Sequence, residues 1–211
     1  MEQEHRSEAG PRAEPRRFDG AAFDVVAIIA SAGGVTAIRS VLSMLPADFP
    51  ASIVVVQHLA PHHRSMLAEI LGRQTELVVK QAEKGDRLEP GVAYIAPPDL
   101  HLLVNADGTV SLSRAEQVHH LRPSGDVLFQ SVADSYGARA IAVVLTGTGR
   151  DGSVGLLSIK RAGGMVIAQD EATAEFGGMP GAAIRTLGVD MVLPLNEIAP
   201  ALIAMVREGK P

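Results

Sequence analysis

Short apolar runs rich in Val, Ile and Ala alternate along the chain with segments of helical periodicity, and this alternation constrains the fold more than any other feature. Four of the runs are FDVVAIIA (23–30), SIVVVQHL (52–59), AIAVVLT (140–146) and MVIAQD (165–170). Purely apolar strands of this kind are typical of parallel sheets that are covered on both faces. The intervening segments, such as VTAIRSVLSML and SVGLLSIKRAG, have apolar residues at helical spacing. The pattern predicts an α/β fold with right-handed crossovers.

The middle of the chain has a different pattern. The apolar segments HLLV and TVSLS are separated by the turn-forming sequence NADG, which predicts an antiparallel hairpin. We expect residues 22–211 to form one domain with three α/β/α layers, containing a doubly wound, mostly parallel sheet and the hairpin. Residues 1–21 are rich in Glu, Arg and Pro and poor in bulky apolar side chains, a composition that predicts a disordered tail.

Charge and composition exclude several classes of function. The formal net charge of −5 provides no basic surface for nucleic acid or for an anionic membrane. Without cysteine, the chain has no disulfide, thiol nucleophile or thiolate metal site. The first twenty residues lack the apolar run of a secretory signal, and no later run reaches membrane-spanning length. We expect no membrane insertion, and a cytoplasmic location is the default expectation.

Polar residues follow three of the predicted strands. Ser31 comes directly after the first strand, His58 lies at the end of the second, and Asp151 lies in the loop GTGRDG after AIAVVLT. Ligands of doubly wound sheets bind outside the carboxyl ends of the strands. These residue types are those of a nucleophile, a base that activates it and an acid that orients the base. Ser31, His58 and Asp151 are therefore the candidate catalytic residues.

The turn after the first strand suits a nucleophile. Gly33 and Gly34 allow the backbone to bend sharply and a substrate to approach closely. Unpaired N–H groups at the start of the next helix can hold the oxyanion that forms when a hydroxyl attacks a carbonyl. The alternative is that Ser31 is only the N-cap of that helix, since serine is a favoured cap.

The other two residues also have structural alternatives. His58 can be a histidine satisfied at a polar strand end, and Asp151 can be the N-cap of the helix SVGLL. The GTGRDG loop lacks the Lys and Ser or Thr of a phosphate-binding P-loop, and SAGG does not match GxGxxG, which argues against a nucleotide cofactor. The remaining histidines show no HExxH-type spacing, so we expect no metal site.

Six sequence blocks in order resemble the catalytic domain of the CheB receptor methylesterases. These blocks are IIASAGG, VVVQHL, RPSGDVLFQS, VVLTGTGRDGSVG, AGGMVIAQDEAT and GMPGAAI, and the likeness extends from about Phe23 to Val206. The resemblance implies a catalytic triad of Ser31, His58 and Asp151. It also implies hydrolysis of receptor glutamate γ-methyl esters to carboxylate and methanol, and deamidation of certain receptor glutamines, without a cofactor.

The resemblance implies partners as well. The substrate is expected to be the cytoplasmic helical region of methyl-accepting receptors, and a separate receiver or methyltransferase protein is a further candidate partner. Many family members have an N-terminal receiver domain, and a polar tail of 21 residues is too short to be one, so we expect a catalytic domain that stands alone. Two other functions stay open, namely a non-catalytic module that docks on receptor helices and a general esterase of small substrates.

Backbone N–H groups on two loops are candidates for the oxyanion site, and the sequence does not choose between them. They belong to Ala32, Gly33, Gly34, Gly147, Thr148 and Gly149. Some positions depart from the family pattern: Ile29 replaces a Gly, Ala32 a Thr, Thr148 a Met and Gly181 an Arg. The loss of a hydroxyl at position 32 removes a possible hydrogen bond in the site.

Overall fold

A computed structural model of the protein describes residues 17–59 and 65–210. The strands in this part of the chain are β1 (Val25–Ala30), β2 (Ser52–Gln57), β3 (Val78–Gln81), β4 (Val92–Ile95), β5 (His101–Val104), β6 (Val110–Ser113), β7 (Ala140–Val144), β8 (Met165–Gln169) and β9 (Met191–Leu193). The helices are α1 (Gly34–Leu42), α2 (Leu67–Gly72), α3 (Gly125–Tyr136), α4 (Gly155–Arg161), α5 (Gly178–Arg185) and α6 (Leu195–Glu208), with a 3-10 turn at Gly137–Arg139.

Seven strands form one parallel sheet in the order β3-β4-β2-β1-β7-β8-β9. From β1 the chain first builds the side of the sheet that contains β2, and later crosses to the other side through β7. Strands β5 and β6 pair separately as an antiparallel hairpin. The predicted α/β fold with a parallel sheet and a hairpin is confirmed. The reversal of strand order beside β1 creates the crevice in which such sheets bind ligands.

The core has two layers because successive strand residues point to opposite faces of the sheet. On one face, Val26 and Ile28 of β1 pack with the apolar sides of α1, α2 and α6. On the other face, Ala27 and Ile29 pack with α3, α4, α5 and the hairpin. All four of these residues are fully buried. Burial of a Val or Ile side chain contributes about 1.5–3 kcal/mol to the stability of the fold. The buried strands therefore hold the residues at their carboxyl ends in fixed positions.

Packing against the core begins before position 22, where the sequence predicts that the domain starts. Residues 1–16 of the predicted disordered tail lie outside the described residues. Phe18 is 7% exposed, lies in the core with α3, and donates its backbone N–H to Asp24 Oδ1 at 2.8 Å. The folded unit therefore includes residues before position 22, because an aromatic side chain and a buried carboxylate anchor them. In the described part of the chain, no helix combines the length and apolar character needed to cross a bilayer.

Candidate active site

The carboxyl ends of β1 and β2 bring Ser31 and His58 together. The last pair in the register of these strands is Ala30 with Gln57, so Ser31 and His58 are the next neighbours. The backbone N–H of His58 donates to Ala30 O at 3.1 Å, and that of Ser31 donates to Thr146 O at 3.0 Å. The second bond ties Ser31 to the segment that follows β7. The main chain at Ser31 is therefore held from both sides.

Ser31 is not the N-cap of α1. Gly33 occupies the cap position with a φ of 74°, and no side chain caps the helix. A left-handed φ favours glycine, and Glu175 Oε2 lies 2.7 Å from where a Cβ of Gly33 would be. Gly34 is equally restricted, because its Cβ would lie 2.1 Å from Gln57 Oε1. The capping alternative for Ser31 is wrong, and its hydroxyl is not used by the helix.

His58 and Asp151 form a hydrogen-bonded pair. His58 Nε2 lies 2.8 Å from Asp151 Oδ2, and the two side chains are 11% and 1% exposed. The carboxylate also accepts hydrogen bonds from Ser124 Oγ at 2.8 Å, Gly125 N at 2.5 Å and Asp126 N at 3.2 Å. Burial acts to raise the pKa of Asp151, but hydrogen bonds from His58 and Gly125 outweigh it and hold the pKa below its ordinary value. Asp151 is therefore ionised at neutral pH.

The ionised carboxylate defines the state of the imidazole. An ionised Asp151 only accepts hydrogen bonds, so His58 Nε2 must carry the proton. When the ring carries only this proton, its lone pair is on Nδ1, which is then the nitrogen that can accept a proton. Among the hydrogen bonds of the described residues none involves Ser31 Oγ. Such contacts are often long without substrate and tighten when it binds.

Asp151 caps a different helix from the one expected. The sequence suggested that it caps α4, which follows it, but its acceptors face the first turn of α3. The start of α4 is capped by Asp126, whose Oδ1 accepts from the backbone N–H of Val154 at 3.0 Å and of Gly155 at 2.7 Å. Long-range packing of α3 against α4 thus frees Asp151 for the pair with His58.

The candidate oxyanion donors divide into two groups. The N–H of Gly34 already donates to Ser31 O at 2.9 Å, and that of Gly147 donates to Phe176 O at 2.9 Å. The remaining candidates are Ala32, Gly33, Thr148 and Gly149, whose N–H groups make no hydrogen bond within the described residues.

The rim of the site is fixed by a single buried hydroxyl. Thr146 Oγ1 donates to Ala32 O at 3.0 Å and accepts from the backbone N–H of Phe176 at 2.9 Å. The Phe176 ring is 40% exposed beside the site. Gly147 packs against Ser31, since its Cβ would lie 2.8 Å from Ser31 Cβ. A cleft of about 200 Å³ adjoins His58 and is lined also by residues 117 and 120–123.

Two further polar residues, Ser124 and Gln57, belong to the site and are not among the candidates named from the sequence. Ser124 lies just before α3, and its side chain is fully buried against Asp151. Gln57 ends β2, and its Nε2 donates to Ser31 O at 2.8 Å and to His58 O at 3.0 Å. Its position at a strand end, directly before His58, was the available signal. Of the other histidines, His101 is buried with Nε2 at 3.0 Å from Glu116 O, while His5, His62 and His63 lie outside the described residues.

A three-layer α/β protein with a serine, a histidine and an aspartate at adjoining strand ends has the arrangement of the serine-dependent hydrolases. The sequence matches the family described as CheB methylesterase over residues 26–202. The chain belongs to this family, as the motif resemblance predicted.

Individual relatives give the extent of the similarity. Protein-glutamate methylesterase/protein-glutamine glutaminase 2 of Burkholderia orbicola is 45% identical over 188 residues, which cover 89% of this chain and 56% of that protein. Protein-glutamate methylesterase/protein-glutamine glutaminase of Moorella thermoacetica is 46% identical, with 87% of this chain and 44% of that protein covered. The chain thus spans about half the length of these relatives. A putative protein of this name from Leptospira interrogans is 39% identical over 87% of this chain and 95% of its own length.

A solved structure has the same fold. The crystal structure of the Thermotoga maritima CheB methylesterase catalytic domain superposes with a TM-score of 0.84 at 40% identity, covering 87% of this chain and 99% of that chain.

Proposed function

We propose that this chain hydrolyses the γ-methyl esters of glutamate residues on methyl-accepting, chemotaxis-type receptors, with Ser31, His58 and Asp151 as its catalytic triad. The observation that carries the proposal is the 2.8 Å bond between His58 and the buried Asp151, formed beside Ser31 at the crevice of the sheet. The names of the curated relatives and the family assignment support the substrate class.

In the first half of the reaction, the ester carbonyl is attacked by Ser31. His58 Nδ1 takes the hydroxyl proton as Oγ forms a bond to the carbonyl carbon. The carbonyl oxygen becomes an oxyanion in the tetrahedral intermediate. When this collapses, the bond to the methoxy oxygen breaks, and the proton on Nδ1 passes to that oxygen to give methanol. The glutamyl group is left as an ester of Ser31.

In the second half, water releases the product. His58 Nδ1 takes a proton from a water molecule as its oxygen attacks the acyl carbon. The second tetrahedral intermediate breaks its bond to Ser31 Oγ, which recovers the proton from Nδ1. Glutamate is freed as a carboxylate with loss of a proton to solvent. Throughout, Asp151 stabilises the imidazolium and keeps Nε2 protonated.

We propose that the oxyanion accepts hydrogen bonds from the candidate backbone N–H groups that have no partner among the described residues. Ala32, Gly33, Thr148 and Gly149 lie on the two loops on either side of Ser31. Preorganised N–H groups stabilise charge that develops in the transition state, and the loss of one such donor costs about 3–4 kcal/mol. The same steps applied to a glutamine side chain release ammonia instead of methanol, so receptor glutamine deamidation is included in the proposal.

The proposed partner is the helical cytoplasmic region of a methyl-accepting receptor, which places the protein in the cytoplasm. A separate receiver or methyltransferase protein is the proposed regulatory partner. The exposed ring of Phe176, attached through its backbone to Thr146 and Gly147, is suited to contact an apolar patch on a receptor helix.

The test is release of labelled methanol from a receptor cytoplasmic fragment that carries tritiated methyl esters. We expect Ser31→Ala to lower the rate at least about a thousandfold. Ser43→Ala, at the exposed end of α1, is the matched control and should leave the rate unchanged. A wild-type rate in Ser31→Ala would contradict the mechanism.

The same assay separates the two alternatives. Receptor binding without methanol release would favour a non-catalytic docking module. Turnover of p-nitrophenyl esters with no reaction on the receptor fragment would favour a general esterase. If the protein is a general esterase, Ser31→Ala should abolish turnover of p-nitrophenyl esters. If it is a docking module, Ser31→Ala should bind the receptor like the wild type.

A further inference from the structure

The side chain of Gln57 lies between the main chains of the proposed nucleophile and base. It is 4% exposed and ends β2. Its Nε2 donates one hydrogen bond to Ser31 O at 2.8 Å and another to His58 O at 3.0 Å. One amide group therefore joins the backbones of the two residues whose separation controls proton transfer.

These bonds begin where the hydrogen-bond ladder of the sheet ends. Ala30 and Gln57 form the last pair of the β1–β2 register, and the N–H of His58 makes the last ladder bond, to Ala30 O at 3.1 Å. The carbonyls of Ser31 and His58 lie one residue further on, where the strands no longer pair. The Gln57 amide replaces the missing ladder bonds, so the rigidity of the sheet extends to the catalytic residues.

The other end of the amide makes stability a poor explanation for this side chain. Gln57 Oε1 is buried, and within the described residues it has no hydrogen-bond partner. It lies against Gly34, whose Cβ would be 2.1 Å away. A buried acceptor without a partner destabilises a fold, and such groups call for a functional explanation. An apolar side chain of similar length would avoid this desolvation cost.

We infer that Gln57 is a positioning residue that fixes the Ser31 and His58 backbones relative to each other for proton transfer. The inference rests on the proposed roles of Ser31 and His58. Gln57 itself touches neither substrate nor reacting atoms, because its side chain is buried below them and bonds only to main-chain carbonyls.

The test compares Gln57→Met with the wild type. Met has a similar length, removes both donors and also removes the unpartnered acceptor. We expect kcat for methanol release to fall about tenfold to a hundredfold, since small misplacements of reacting groups have effects of this size. KM for the methylated receptor fragment should stay within about twofold. The midpoint of thermal unfolding should change little, because the substitution removes the unpartnered Gln57 Oε1 but also the donor to His58 O.

A second measurement follows Ser31 directly. A phosphonofluoridate reacts covalently with an activated serine and needs no receptor. The labelling rate of Ser31 should fall in Gln57→Met by the same factor as kcat, while the final labelled fraction stays complete. Gln81→Met, the same change at the end of the outer strand β3, is the control and should behave as the wild type.

Gln57→Glu supplies a pH signature that a purely structural role would not produce. An ionised Glu presents acceptors to two carbonyl oxygens, whereas a protonated Glu can donate to one of them. The labelling rate relative to the wild type at each pH should therefore increase as the pH falls. This variant also serves if Gln57→Met does not fold.

The outcomes separate the inference from the proposed function. Labelling of Gln57→Met at the wild-type rate, or a raised KM with an unchanged kcat, would overturn the positioning role. A reduced final labelled fraction with an unchanged labelling rate would show only partial unfolding and would overturn it as well. If the wild type releases no methanol from the receptor but labelling still depends on Gln57, the proposed substrate fails and the positioning role stands.

Discussion

Asp126, in the first turn of α3, caps the start of α4, and Asp151, which lies before α4, caps the start of α3. Asp151 lies just before α4 but accepts hydrogen bonds from the N–H groups of Gly125 and Asp126 at the start of α3. Asp126 lies in the first turn of α3 but accepts from the N–H groups that start α4. This exchange ties α3 to α4 and holds the Asp151 carboxylate facing His58. Each aspartate therefore makes a separate, testable contribution.

Asp151→Asn keeps the size of the side chain but removes the charge that keeps Nε2 of His58 protonated. The ring can then place its proton on Nδ1, which no longer accepts one from Ser31. We expect kcat for methanol release to fall by about 10⁴, the effect of the same change in a serine protease triad. Asp134→Asn, at an exposed position of α3, is the control. An activity within tenfold of the wild type would contradict the role of Asp151.

The two aspartates respond to pH in opposite directions. The pKa of Asp151 lies below its ordinary value of 3.8, so its contribution to stability is present above pH 3.8 and is lost as the pH falls through the lower folded pKa. Burial, with the nearby charge of Asp151, raises the pKa of Asp126 above 3.8. The contribution of Asp126 is present below pH 3.8 and is lost as the pH rises through that raised pKa.

Asp126→Asn should therefore stabilise the protein at neutral pH. The Asn side-chain oxygen still accepts from Val154 and Gly155, but the buried charge is gone. The free energy of unfolding, measured with urea, should exceed that of the wild type at pH 7, and the gain should disappear near pH 3.5. Asp126→Ala lacks the cap and should be less stable than Asp126→Asn by about 1 kcal/mol. An Asn variant less stable than the wild type at pH 7 would be inconsistent with a costly charge.

Gly147→Ala tests the packing behind Ser31, the proposed nucleophile. The new Cβ would lie 2.8 Å from Ser31 Cβ and 2.4 Å from Met179 Sδ, so both must move. We expect a loss of stability of about 1–3 kcal/mol from overpacking and a fall in kcat of about a hundredfold from displacement of Ser31. Gly72→Ala at the end of α2, where the nearest atom would be 3.5 Å away, should change neither quantity. Equal effects in both variants would argue against a specific contact with Ser31.

Phe176→Ala tests the rim of the site. If the exposed ring contacts a receptor helix, its removal should raise KM for the methylated receptor fragment about fivefold, which corresponds to ~1 kcal/mol of lost apolar contact. Turnover of a p-nitrophenyl ester should be unaffected, because that substrate is too small to need the contact. Leu187→Ala removes another exposed apolar side chain, just beyond the end of α5, and should leave the kinetics with both substrates unchanged. An unchanged KM in Phe176→Ala would exclude the ring from receptor binding.

The sequence determined the elements of the sheet and the three residues that stand at its strand ends. Apolar strand runs, helical periodicity and turn residues are local signals, and they located β1, β2 and β7 together with Ser31, His58 and Asp151. Since the carboxyl ends of parallel strands share one edge, the sequence also indicated that these residues meet there.

Tertiary structure decided the hydrogen bonds that give these residues their chemistry. His58 and Asp151 are 93 positions apart, and Asp151 meets the start of α3 only because α3 packs beside α4. The choice of Nδ1 as the basic nitrogen, the four uncommitted oxyanion candidates and the amide of Gln57 all depend on such contacts. Hydrogen bonds are short and directional, so their partners are settled by how the helices pack on the sheet, which local periodicity does not encode.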